Sequence, residues 1–137
     1  MAKQSIDKAT KEMKLDHRFT GLNNLFSYLN DVRGRAEKLQ EIYNQLKDRE
    51  AELVDMGTIY AGTTWKDGKY LYLIYPGKNG EDRQRVYVGS DSDKVAEALA
   101  AIERGSQLDK VKSQIKEMEN RVHWCGDYII RANGQIS

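Results

Sequence analysis

His123, Cys125 and Asp127 place three metal-capable side chains within five residues, and they are the first candidates for chemistry. Zinc-type sites are built from paired ligands, CxxC or HxxxH, whose spacing lets both members reach one ion. No such pair accompanies the three, and His17 lies far off in sequence, so no metal site is expected. Cys125 beside His123 also has the residue types of a nucleophile and its base. Such pairs are normally assembled in space and need an oxyanion-stabilising element, and the sequence offers none. A buried structural cysteine is the expectation for Cys125. Gly77 and Gly80 form neither a phosphate-binding loop nor a dinucleotide fingerprint. The chain therefore reads as non-enzymatic, with no catalytic residue, cofactor or small-molecule substrate.

A second set of residues has the chemistry of recognition. Tyr60, Trp65, Tyr70, Tyr72, Tyr75 and Tyr87 put six of the twelve aromatic residues between positions 57 and 90, interleaved with Lys69, Arg83 and Arg85. Tyrosine rings stack on bases or pack on sugars, and a guanidinium fork matches guanine edges or phosphates. Tyr, Trp and Arg are equally the residues that dominate protein-binding hot spots. The alternative is structural, with Tyr70, Tyr72 and Tyr87 as cross-strand partners in a small sheet and Arg83 and Arg85 as its solvated face.

The elements that must hold these residues are legible as strands. Thr58 to Trp65 is rich in β-branched and aromatic residues, Lys66-Asp67-Gly68 is turn chemistry, and Lys69 to Tyr75 is a Tyr/Leu/Ile run. After an exposed loop at Pro76 to Gly80, Arg83 to Val88 alternates again before Gly89. The prediction is a three-stranded meander. Alternation puts Leu71, Leu73, Val86 and Val88 on an aliphatic face, and Tyr70, Tyr72, Arg83, Arg85 and Tyr87 on an aromatic, basic one. Ser90 and Asp93 match a capping box for a helix whose Val95, Ala96, Leu99, Ala100 and Ile102 would cover the aliphatic face.

Helical periodicity dominates elsewhere. Ile6, Ala9 and Met13 suggest a short amphipathic helix, so that residues 1–20 form a helix and linker, with Thr20 a candidate cap for the next element. From Leu22 through Leu25, Leu29, Val32, Ala36, Leu39, Tyr43 and Leu46 to Leu53, apolar residues repeat in steps of three and four, interrupted at Glu50. A helix over 21–56 would be roughly 50 Å long, too long for its stripe to be covered by a 34-residue sheet alone. Gly34 could mark a bend, a close crossing or nothing. The helix should end at Asp55-Met56-Gly57. Gly105 followed by Ser106 and Asp109 reads as one helix stopping and another starting, or as one kinked helix. Leu108, Val111, Ile115, Met118 and Val122 form a second seam, expected to run antiparallel to the first. Residues 124–137 lose the period and are expected to form a strand or docking tail. The organisation is thus 1–20, 21–56, 57–105 and 106–137, in an α+β fold: a long antiparallel helical hairpin carrying a three-stranded antiparallel meander covered by a helix.

The run G-K-Y-L-Y in the second strand, R-V-Y-V-G in the third, then S-D-x-D and V-A-E-A-L-A-A, resembles AP2-like DNA-binding domains and the related arm-binding modules of phage integrases. It covers residues 57–105. The resemblance implies that the sheet face away from the helix enters the major groove, with Trp65, Lys69, Arg83, Arg85 and Tyr87 touching DNA.

Charge excludes a whole-chain electrostatic partner. Lys and Arg number 22 against 21 Asp and Glu, a net charge of +1. No apolar run approaches bilayer length and no signal-peptide core is present, so a cytoplasmic location off the membrane is expected, and the single cysteine fits a reducing compartment. Two function classes follow. One is a small DNA-binding accessory protein of a phage or mobile element, working as a homodimer through its long helices. The other is a protein-binding inhibitor or adaptor of phage or plasmid origin, using the same Tyr/Arg surface or the stalk on a host protein.

Overall fold

A computed structural model describes residues 18–78 and 80–137. The expected helix over residues 3–14 lies outside the described residues. The elements are α1 (Thr20–Met56), β1 (Gly62–Lys66), β2 (Tyr70–Tyr75), β3 (Gln84–Gly89) and α2 (Ser92–Ile136). The architecture is α+β: two long helices with an antiparallel sheet of order β1-β2-β3 between them in the chain. Two compact units divide within α1, between Asn44 and Gln45.

In the first unit, α1 keeps the three-four stripe: Leu22, Leu25, Leu29, Val32, Leu39 and Tyr43 are half-buried, whereas Ala36 is exposed. Gly34 is exposed, and a Cβ there would meet nothing within 4 Å among the described residues, so it marks no close crossing.

In the second unit, α1 stops where its sequence allows. Gly57 follows with φ +92°, the left-handed conformation that costs glycine least, and its N–H donates to Val54 O at 3.2 Å. Arg104 completes the termination by donating from Nε to Gly57 O at 2.7 Å and from a guanidinium N–H to Met56 O at 3.4 Å. The same group bonds Glu97 at 2.6 Å. Because Arg104 touches residues 56 and 57 while Arg49 donates to Gln107 at 3.0 Å, the last turns of α1 run antiparallel to α2. Leu53 is fully buried there.

The segment after Gly57 lies directly on α2. Ile59 N–H donates to Ala101 O at 3.0 Å, and Ile59 O sits 2.9 Å from where a Cβ on Gly105 would be. A carbonyl has two lone pairs, so Ala101 O can accept this extra bond without leaving its helix. Gly105 is therefore no helix stop. It is a buried interior residue of one continuous helix from Ser92 to Ile136, and the capping role expected of Ser106 and Asp109 is not realised. At the start of α2 the cap is Asp91, whose carboxylate accepts from Asp93 N at 3.1 Å, rather than Ser90. Residues 124–136, expected to leave the helix, continue it, and Cys125 is exposed on it rather than buried.

The core of the sheet follows from the helix beneath it. Leu71 and Leu73 pack with Ala98, and Val95, Ile102, Ile59 and Val88 close around them. The contacting stripe is thus 95, 98 and 102, a three-four spacing, and Leu99, expected inside, is 39% exposed.

Two glycine substitutions should separate close approach from mere helix propensity. Gly105→Ala pushes a Cβ against a backbone oxygen and should cost about 1–3 kcal/mol. Gly34→Ala, with open space around it, should gain about 0.5–1 kcal/mol. Urea denaturation followed by circular dichroism reads both, with opposite shifts of the midpoint expected.

Candidate functional site

The turn between β1 and β2 decides which side chains share a surface. Asp67 and Gly68 both take positive φ, 54° and 71°, and Lys69 N–H closes the turn onto Lys66 O at 3.2 Å. Residues 67–69 form the turn, so Lys66 faces Tyr70, Trp65 faces Leu71 and Thr64 faces Tyr72. Residues directly opposite one another in a sheet lie on the same face. Trp65 therefore shares the face of Leu71 and Leu73, on the α2 side. It does not join Tyr70 and Tyr72, contrary to its assignment from the resemblance.

On the other side of β2, Tyr72 faces Tyr87, Ile74 faces Arg85 and Leu73 faces Val86. A register shift between Leu71 and Tyr72 makes Gly89 the partner of Leu71, which leaves Val88 as the extra residue of a bulge. Val88 packs into the core, whereas Val86 is 44% exposed on the outer strand. Val86 and Val88 are thus not equivalent members of the aliphatic face.

The face away from α2 carries Lys66, Tyr70, Tyr72, Ile74, Arg85 and Tyr87. The Tyr72 and Tyr87 rings meet at 5.1 Å between centroids, tilted by 56°. Arg85 lies over the Tyr72 ring with its guanidinium carbon 4.9 Å from the centroid, and Lys69 Nζ stands 5.1 Å from the Tyr70 centroid. These contacts hold two cations against aromatic faces while leaving their outward N–H groups to solvent. Tyr87 is 58% exposed, and the strands contain no acidic residue. Lys66 belongs to this surface and was not singled out from the sequence. Only the pairing register across the turn reveals it.

Arg83 stands apart. It precedes β3 and lines an open groove of about 740 Å³ with Ile59, Thr63, Ile74, Ile102 and Asp109. Within that groove Tyr60 Oη donates to Asp109 Oδ1 at 3.2 Å. Loss of solvation and then the neighbouring Asp109 carboxylate raise the Tyr60 phenol above its ordinary pKa of 10.0.

His123, Cys125 and Asp127 all lie on α2. Successive alternate residues of a helix are separated by about 200°, which turns Cys125 away from the other two. Asp127 pairs instead with Arg131 at 3.1 Å, and His123 packs edge-on to Trp124. Among the described residues, no three His, Cys, Asp or Glu side chains are grouped to hold a metal ion, and no helix is long and apolar enough to cross a membrane. No family model, curated protein or solved structure matches the chain.

Two paired positions on the same face of the sheet, one on the central strand and one on the outer strand, should respond differently to one added charge. Leu73→Asp places a carboxylate at a site only 4% exposed and should cost on the order of 4 kcal/mol. Val86→Asp, directly opposite but reaching solvent, should cost about 1 kcal/mol. Thermal melts of the two variants test this, with a far lower Tm expected for Leu73→Asp.

Proposed function

We propose that the helix-free face of the sheet is a DNA-binding surface, with its strands lying in the major groove. The observation that carries the reading is the joint presentation of Tyr70, Tyr72 and Tyr87 with Lys66, Lys69 and Arg85, on strands that hold no Asp or Glu. A β-ribbon fits the width of the major groove, and sheets read it with side chains of one face. Arg85, held over the Tyr72 ring, loses less rotamer freedom on binding than a free side chain would, and its guanidinium fork suits a bidentate contact. Lys66 and Lys69 flank it as phosphate contacts, which position the protein without specifying sequence.

Three cations make a small electrostatic footprint. Affinity should fall with salt at a slope of about −3 in log–log form for three neutralised phosphates, so one copy binds weakly at physiological ionic strength. The partner class is duplex DNA rather than single strands, because the aromatic rings are occupied with each other and with cations instead of being splayed as open stacking platforms.

Fluorescence anisotropy with a labelled duplex at low salt tests the reading. Arg85→Ala should weaken binding by about 1–3 kcal/mol, and Lys66→Ala should flatten the salt slope by roughly one. Trp65→Ala, on the opposite face, should leave affinity unchanged while the circular dichroism spectrum of all three variants matches the wild type. Wild-type protein that binds no duplex at low salt, or an Arg85→Ala variant that binds as the wild type does, would overturn the assignment. Salt-insensitive capture of a protein through the same face would put the inhibitor or adaptor reading in its place.

A further inference from the structure

The second half of α2 carries an apolar seam that is exposed. Leu108, Val111, Ile115 and Met118 are buried at steps of three and four. The same steps continue without a slip through Val122, Cys125, Ile129, Ala132 and Ile136, yet Val122 is 54%, Ile129 43% and Ile136 66% exposed. Eighteen residues of helix beyond Met118 therefore keep the phase of a buried seam, and a seam of this period is shaped for another helix.

We infer that this face is the interface with a second copy of the chain, whose α2 packs against it in the antiparallel sense. Three observations select that occupant. The first is size. The residues alternate large and small, with Val122, Ile129 and Ile136 at one set of positions and Cys125 and Ala132 at the other. Antiparallel pairing sets the two kinds against each other, so that Val122 meets the partner's Ala132 and Cys125 meets the partner's Ile129, each contact occurring twice about the dyad. Parallel pairing would stack Cys125 on Cys125 and Ala132 on Ala132, leaving thin layers between thick ones and voids between the helices.

The second observation is charge. Arg121 and Arg131, the cations of this stretch, are neutralised within the helix by Glu117 and Asp127, four residues earlier in each case. These two arginines thus offer no unmatched positive charge for an acidic partner to satisfy, and two copies meet without repulsion between them.

The third is extent. Covering the five seam residues and the adjoining Tyr128, itself 65% exposed, removes roughly 600 Å² per copy, and the total of about 1,200 Å² lies at the lower edge of stable interfaces. Association in the micromolar range follows. Trp124 and Ile130 project to other sides of the helix and lie outside the seam.

Oxidative cross-linking reads the arrangement directly, because the wild type has one thiol and no thiol opposite it. The Ile129→Cys variant places a thiol against the partner's Cys125, and under mild oxidation it should run as a covalent dimer on a non-reducing gel while the wild type stays at one chain. Light scattering of the wild type at about 100 µM should give twice the 15.7 kDa chain mass. Ile129→Asp should return it to one chain mass with an unchanged circular dichroism spectrum. A wild-type mass of 15.7 kDa at that concentration would overturn the inference and leave the face to some other partner. Ready wild-type disulfide dimers would overturn the antiparallel sense, and an Ile129→Asp variant that remains dimeric would overturn the placement of the interface.

Discussion

The contact between Ile59 and the Ala101–Gly105 turn of α2 fixes the second unit. One backbone N–H is bonded to Ala101 O and one carbonyl lies against a glycine that has no Cβ to repel it. This brings an extended segment within van der Waals distance of a helix backbone, closer than any side chain would permit. Everything downstream inherits the placement: Ala61 and β1 leave the helix at a set height, β2 lays Leu71 and Leu73 onto Ala98, and Arg104 can reach back to the end of α1. A larger residue at position 105 would lift the sheet from its core, so the glycine acts as a spacer for the whole unit.

Much of this was readable in advance because it rests on period and on local backbone chemistry. The bounds of α1, the glycine that ends it, the three strands and the aromatic, basic face all follow from alternation or from the three-four repeat. What was not readable depends on tertiary context. Gly105 has the same local signature as a helix stop, and only Ile59 packed against it shows why a glycine stands in mid-helix. The segment from Trp124 to Ile136 reads as irregular when tyrosine and isoleucine are counted on all sides, although its seam at 122, 125, 129, 132 and 136 never loses phase. Trp65 was assigned by resemblance, and the three-residue turn at 67–69 set it opposite Leu71.

The candidate surface combines rigidity with modest charge. Two of its three cations, Lys69 and Arg85, are braced on rings of the same sheet, the sheet is braced on α2, and α2 is locked to the end of α1 by Arg104, whose side chain is only 12% exposed. Preorganisation of this kind lowers the entropy lost on binding, which matters most where few contacts are available. It also means that damage to the core and damage to the surface are separable, since the two faces of β2 are divided by strict alternation between Leu71 and Leu73 on one side and Tyr70 and Tyr72 on the other.

The bulge at Leu71/Tyr72 bears on how the protein behaves at high concentration. An outer strand with a regular ladder is a template on which another chain can add, and repeated addition leads to fibrils. In β3 the extra residue breaks the spacing of outward N–H and C=O groups and increases the local twist, while β1, the other outer strand, has only five residues and ends in Lys66. Neither border offers a long flat row to an incoming strand. The sheet is thereby closed to growth without being closed into a barrel, and crowding should leave it at three strands.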